Sequence, residues 1–411
     1  MTAATAIDTG AIRAALPALS RSVHDDTPMI YLDAAATMPR PASVIAAVQA
    51  FDEQFPANVH RATHQLASEA TEAFESARAD VARFVNAGSP QEVVFTRGTT
   101  EAINLFANSW GGVHLGKGDD VLVTAIEHHA NIVPWQLLAE RTGCVLRVID
   151  CGDDGSIDPV KAEAAMTDRT RLVSITWISN ALGTVVDVQA VVAAAKARGI
   201  TTLIDAAQAV PHRPVDVRAI GADAIAFSGH KMFAPTGIGA LWARGDLLEC
   251  MPPYQGGGEM IETVSFDGTT WNDPPWRFEA GTPNIGGVIG FGAAVRWLEG
   301  IGMEAIAAHD AALTAELVDR LSGIDRVVLV GTPPDRSGAV SFNVDGMHHA
   351  DVGMLLDRHG IAVRTGHHCA EPIMARMGVT GTVRASLGCF TNSDDLDALE
   401  TALKRVIEVF G

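Results

Sequence analysis

The sequence predicts an α/β protein built on a mainly parallel sheet, with a smaller αβ domain following it. Short β-branched runs alternate with longer amphipathic stretches through the first two thirds of the chain, and alternation at that spacing marks βαβ units. The rhythm breaks across 252–284, where Gly256, Gly257, Gly258, Pro274, Pro275, Trp271 and Trp276 make a loop-and-hairpin composition. A second αβ mixture then runs to the end. At about 150 residues per domain, 411 residues suit two or three domains.

Strands are expected at 92–96, 121–124, 145–149, 172–178, 202–205, 224–227 and 239–242, separated by helices at 65–85, 101–108, 133–141 and 188–198. Beyond the loop-rich stretch come helices at 287–300 and 303–321. The later mixture covers 327–330, 340–344, 351–359, 361–364 and 383–387, with a last helix at 393–409. This divides the chain into an N-terminal arm or helix (1–30), a large domain (31–285) and a small C-terminal domain (286–411). Ligands of such sheets sit beyond the carboxyl ends of the strands, so the polar residues just after each strand carry the functional reading.

Composition narrows the function classes. With 49 acidic and 30 basic side chains the net charge is -19, which disfavours nucleic acid and anionic membranes as partners. No apolar run reaches the ~18 residues of a membrane span. The first twenty residues, interrupted by Asp8, Arg13 and Pro17, hold no targeting segment, so a soluble cytoplasmic protein is expected. Cys144, Cys151, Cys250, Cys369 and Cys389 are an odd, scattered set that fits neither a disulfide framework nor paired zinc spacing. A reducing compartment follows.

Lys231 lies in Ser-Gly-His-Lys directly after an apolar run. A lone lysine is usually a surface residue, but this one has company at other strand ends. Asp205 closes another run, with Gln208 three residues on, and Gly98-Thr99-Thr100-Glu101 opens a helix after the first strand. Helix N-termini bearing hydroxyls favour phosphate. A lysine able to form a Schiff base, a carboxylate for a pyridinium nitrogen and a phosphate site are together what pyridoxal phosphate requires. His128 and His129 follow a further strand. Adjacent histidines point apart, which disfavours a metal site made from this pair and suits one ring stacked on a cofactor and relaying protons. Cys369 stands in Arg364-Thr365-Gly366-His367-His368-Cys369, a Gly- and His-rich loop. A buried inert thiol is the default, yet this setting favours thiolate and a nucleophile over a metal ligand.

The motifs NVHRATH (58–64), VFTRGTTEAIN (94–104), EHHANIVPWQ (127–136), FSGHK (227–231), RFEAGTPN (277–284) and RTGHHCA (364–370) span nearly the whole chain in order. With them the sequence resembles the SufS-type (group II) cysteine desulfurases of the class V aminotransferase fold, a group that includes selenocysteine lyase-like enzymes. The resemblance implies a fold type I pyridoxal phosphate enzyme with a seven-stranded sheet in its large domain. It implies that Lys231 holds the cofactor, that Asp205 pairs with the pyridine nitrogen and Gln208 with the phenolic oxygen, and that His128 stacks over the ring. Thr100, Ser228 and His230 would bind the phosphate, joined by Thr282 from the other subunit of a homodimer. Arg384 would clamp the substrate carboxylate, a planar anion suited to a guanidinium fork, with Asn180, Arg364 and His60 also at the substrate. Cys369 would take the sulfur of L-cysteine as a persulfide while L-alanine leaves. No metal is implied.

L-selenocysteine is an alternative substrate, since a selenocysteine lyase shares every motif. An aminotransferase or a kynureninase-like hydrolase would leave Cys369 without a role. A silent partner in cluster assembly would be expected to have lost one of Lys231, Asp205, His128, Arg384 and Cys369. Sulfur acceptors of the SufE or SufU type are implied, with iron–sulfur cluster assembly as the destination. SufE is favoured, because Ala350 stands where relatives that use SufU carry a zinc-exchanging histidine. Ala34, Trp177 and Ala206 depart from the pattern and bear on substrate choice and rate.

Overall fold

Strands that are apolar at successive positions must be covered on both faces, and six of the seven runs of the first two thirds are satisfied in that way, the exception being the edge strand at 145–149, whose Val145 and Val148 are exposed. The computed structural model describes residues 7–24, 26–61 and 63–410; residues 1–6 of the expected arm, and Ala62 within the first motif, lie outside the described residues. The strands are β1 (Val93–Thr96), β2 (Asp120–Thr124), β3 (Val145–Ile149), β4 (Thr170–Thr176), β5 (Thr201–Asp205), β6 (Ala224–Ser228) and β7 (Gly239–Ala243). They form one sheet in the order β1-β7-β6-β5-β4-β2-β3. All neighbours are parallel except β7, which runs antiparallel to β1 and β6.

Side chains alternate between the two faces. Ile225 and Phe227 enter one core, and Ala224 and Ala226 enter the other. The first core is roofed by α1 (Ala42–Gln54), α2 (Gln65–Phe84) and α4 (Ile285–Ile301), the second by α3 (Thr99–Phe106) with Trp110, Trp135 and Leu138. Glycines let α4 lie close to its neighbours: a Cβ on Gly292 would stand 2.7 Å from the Cβ of Ala77.

The small sheet is antiparallel, in the order β8-β9-β11-β10, from β8 (Val327–Leu329), β9 (Ala339–Val344), β10 (Arg364–Gly366) and β11 (Thr382–Ser386). Its core is closed by α5 (Met303–Ser322) and α6 (Ser393–Phe410). The run expected as one strand at 361–364 divides: Ile361–Ala362 pairs in parallel with Ile30–Tyr31 and Arg364 begins β10. The N-terminal segment is thereby sewn to the small domain. Because α4 packs on α1 and α2 and shares the large core, we propose that the two domains divide at Gly302 rather than at 285. Among the described residues no helix is long and apolar enough to cross a membrane.

Arg78 ties α2 to the sheet. It is 1% exposed, donates to both oxygens of Glu279 at 2.7 and 2.8 Å and to the Val93 carbonyl at 2.8 Å. Removing one member of a buried pair strands the other's charge. Arg78→Met should therefore lower unfolding free energy by about 3–5 kcal/mol in urea titrations. Adding Glu279→Leu should recover part of that loss, and no recovery would show that packing of Arg78, not its charge, is what matters.

Candidate active site

The turn Gly229–Lys231 follows β6 immediately and turns Lys231 into a cavity of 230 Å³ beyond the strand ends. Lys231 Nζ donates to the Ala35 carbonyl at 3.0 Å, and Gln208 Nε2 donates to the same oxygen at 2.8 Å. Burial pushes the Lys231 amine down to about 8; Arg384 adds to this and Asp205 opposes it. Asp205, the last residue of β5, lines the cavity and is buried. One of its oxygens accepts from Ala207 N at 2.9 Å. Burial pushes its carboxyl up, so a cation or N–H donor in the cavity would stabilise the carboxylate.

Gly98, at φ +151, turns the chain from β1 into α3. There Ser228 Oγ lies 2.8 Å from Thr99 N and 2.7 Å from Thr99 Oγ1. A Cβ on Gly239 would stand 2.5 Å from the Phe227 carbonyl and 2.6 Å from Gly98 Cα, so glycine is required where β7 crosses this corner. Thr100, Ser228 and His230 line the cavity beside the α3 N-terminus. Burial pushes His230 down to about 4, with Lys231 adding to the effect.

His128 lines the same cavity, and its Nδ1 accepts from Ala130 N at 3.0 Å. Burial lowers it to about 3, followed in effect by Lys231, so the ring is neutral with its proton on Nε2. His129 points elsewhere, as expected of an adjacent pair. Its N–H donates to the Cys369 carbonyl at 2.8 Å and its Nε2 accepts from Glu371 N at 3.0 Å.

The loop after β10 carries Cys369 into the cavity wall. His368 and Cys369 both sit at φ +56, a left-handed conformation costly for side-chain-bearing residues. His129 holds one end of this loop, and His368 Nε2 to Thr382 Oγ1 at 2.7 Å holds the other. Cys369 and Cys250 are exposed, whereas Cys144, Cys151 and Cys389 are buried. Arg384, 1% exposed, donates to the Asn180 carbonyl at 2.8 Å and to Asp33 Oδ1 at 2.9 Å; its Nε has no partner among the described residues. Arg364 and Asn180 also line the cavity. Trp177 packs in the core away from this cavity with the Arg213 guanidinium over its ring.

Two expected residues lie apart. Thr282 lines a neighbouring cavity, where Asn58 Nδ2 approaches its hydroxyl at 3.4 Å. His60 pairs with Glu75 at 2.9 Å and stands edge-on to Phe74. The sequence reading missed the Ala35 carbonyl, the Asp33 carboxylate and His129 as the anchor of the cysteine loop. The histidine pair was the one local signal for the last.

An amine, a buried carboxylate, an amide, a neutral imidazole and a helix N-terminus with hydroxyls around one cavity are a donor set that fits pyridoxal phosphate. Lys231 would hold it, Asp205 and Gln208 would meet the ring, and Thr100, Ser228 and His230 the phosphate. The chain matches the family model described as aminotransferase class-V over residues 30–399. It is 48% identical over 402 residues to a cysteine desulfurase of Klebsiella pneumoniae, covering 97% of this chain and 98% of that protein. A probable cysteine desulfurase of Streptomyces coelicolor is 46% identical over 411 residues, 98% of each. The solved structure of the cysteine desulfurase CsdA of Escherichia coli superposes with a TM-score of 0.91 at 37% identity, covering 98% of this chain and 100% of that one. Fold and site thus define a pyridoxal-phosphate-dependent enzyme. The chain belongs to the class-V aminotransferase family and, within it, to the cysteine desulfurases.

A neutral amine is what captures an aldehyde, so the lowered Lys231 predicts a measurable pH dependence. The rate at which cofactor-free protein takes up pyridoxal phosphate should rise with pH and level off with an apparent pKa of about 8. Stopped-flow absorbance checks this. A midpoint at the ordinary lysine value of 10.5 would contradict the role given to burial.

Proposed function

We propose that the protein is a SufS-type (group II) cysteine desulfurase that moves the sulfur of L-cysteine onto Cys369 and releases L-alanine. The observation that carries this reading is that Lys231, Arg384 and Cys369 line one cavity. They are an amine to hold the cofactor, a guanidinium to fix the substrate and a thiol to receive its sulfur. Arg384, with an unpartnered Nε, and Arg364 take the substrate carboxylate, and Asn180 braces Arg384 through its carbonyl.

Bound pyridoxal phosphate supplies an electron sink beside the substrate's α-carbon. The rest is the work of this chain. Lys231 Nζ, neutral in a larger fraction than an ordinary lysine at neutral pH, shuttles the α-proton. His128 exchanges protons with substrate groups at its ring nitrogen. Cys369 Sγ, as thiolate, attacks the substrate sulfur. The S–S bond forms as the substrate's C–S bond breaks, that bond's electrons stay with the carbon skeleton, and the skeleton gains a proton to leave as L-alanine. Cysteine plus thiol becomes alanine plus persulfide.

Exposure of Cys369 supports hand-off to an outside thiol, which we assign to a sulfur acceptor of the SufE type ahead of SufU, for iron–sulfur cluster assembly in the cytoplasm. Thr282 is assigned to the phosphate of a second copy, making the working unit a homodimer.

Cys369→Ser should keep the visible band of the bound cofactor and lose persulfide formation and most alanine release. Lys231→Ala should lose both the band and turnover. Full desulfuration by Cys369→Ser would sink the role of Cys369.

A further inference from the structure

Beneath His128 lies a carboxyl that the chemistry above does not use. Glu127 is wholly buried, one residue before His128 and just past the end of β2. Its Oε1 accepts from Thr124 Oγ1 at 2.6 Å, Thr176 N at 2.9 Å and Thr124 N at 3.2 Å, and its Oε2 accepts from Asn131 Nδ2 at 2.8 Å. Thr124 and Thr176 end the adjacent strands β2 and β4, and Asn131 ends the turn His129–Asn131. One carboxyl thus joins two strand ends to the turn on the far side of His128.

Every contact donates to Glu127, which suits the ionised form. Burial opposes that form and pushes the carboxyl up to about 7, with the hydrogen bonds from Thr124, Asn131 and Thr176 working against the rise and Asp205 adding to it. Asn131 is locked in turn: its Oδ1 accepts from Trp135 Nε1 at 2.9 Å and from the Ser174 hydroxyl, and its Nδ2 also reaches the Ser174 carbonyl at 3.1 Å. Its amide cannot be turned around without breaking these.

We propose that Glu127 is a positioning residue for His128: it fixes the turn whose Ala130 N–H holds His128 Nδ1, and so sets the tautomer and placement of the ring in the cavity. This rests on the reading of the cavity as a pyridoxal phosphate site with His128 at its face. Glutamine at 127 keeps the shape but sets an amide NH2 against donors in either orientation, towards Thr124 and Thr176 or towards Asn131.

The test compares wild type with Glu127→Gln, using alanine release by the holoenzyme and ¹⁵N-histidine NMR of the cofactor-free protein, with His128 assigned through His128→Gln. The variant should still bind pyridoxal phosphate. Its kcat should fall about tenfold to a hundredfold at nearly unchanged KM, and its His128 resonances should leave the single Nε2–H tautomer. Wild-type kcat with unmoved His128 resonances would overturn the proposal. Should Glu127→Gln not fold, Asn131→Ala decides, since it cuts the carboxyl from the turn and leaves its strand anchors. Moved His128 resonances in that variant support positioning, and unmoved ones overturn it. Wild-type protein that binds no pyridoxal phosphate would overturn the cofactor reading, while the NMR arm still judges the role of Glu127.

Discussion

The site depends on residues 33–38, an irregular segment that seams the seven-stranded sheet to the four-stranded one and is held mainly by its backbone. Ala34 N and Ala35 N reach the Ser386 carbonyl and hydroxyl, and Asp33 takes the Arg384 guanidinium, all from the small sheet. The Ala35 carbonyl takes Lys231 and Gln208 from beyond strand ends of the large sheet, and Met38 N reaches the His230 carbonyl at 2.8 Å. The lysine that would hold the cofactor and the arginine that would hold the substrate come from different sheets, and this seam bonds to both. Ala34 and Ala35, both buried, are small enough to pass between the two sheets.

Burial of like charge is the second constraint. Arg384 is buried and Lys231 half-buried; burial lowers both, Arg384 lowers Lys231 further, and Arg364 lowers each of them. His128, His230 and His368 are held neutral mainly by burial, with nearby cations adding to it. A cavity of that character is short of negative charge and takes up anions. A phosphate and an amino-acid carboxylate are what the proposed reaction brings to it. Asp33, Asp205 and Glu127 are the carboxyls beside it; Asp33 and Asp205 each accept one hydrogen bond at Oδ1, and Glu127 is held at both oxygens.

Much of this was legible in the sequence. Most of the strands were visible because buried runs such as Ala224–Phe227 are apolar throughout, and Lys231, Asp205 and Thr100 because they stand just past strand ends or at them, where ligands collect. The seam was not legible. Asp33-Ala34-Ala35-Ala36 has no periodicity, and its contribution comes from carbonyls and N–H groups that every residue carries. The boundary proposed at Gly302 was not legible either, because α4 is glycine-rich and follows a loop-rich stretch, while its close packing on α2 is a tertiary fact. Glu127 went unnoticed because a buried carboxyl looks like any helix-entry acid until its donors are placed around it. Neither Thr282 nor His60 joins the cavity of its own chain, and nothing in their local sequence marks which cavity they serve.

The central claim is that one cavity both cleaves the carbon–sulfur bond and receives the sulfur. Anaerobic single-turnover incubation of the holoenzyme with L-cysteine, read by amino-acid assay and by mass spectrometry of the peptide bearing Cys369, tests it most directly. Alanine should appear in equal amount to one added sulfur atom on Cys369 per active site. Alanine accompanied by free sulfide, with Cys369 unmodified, would contradict it.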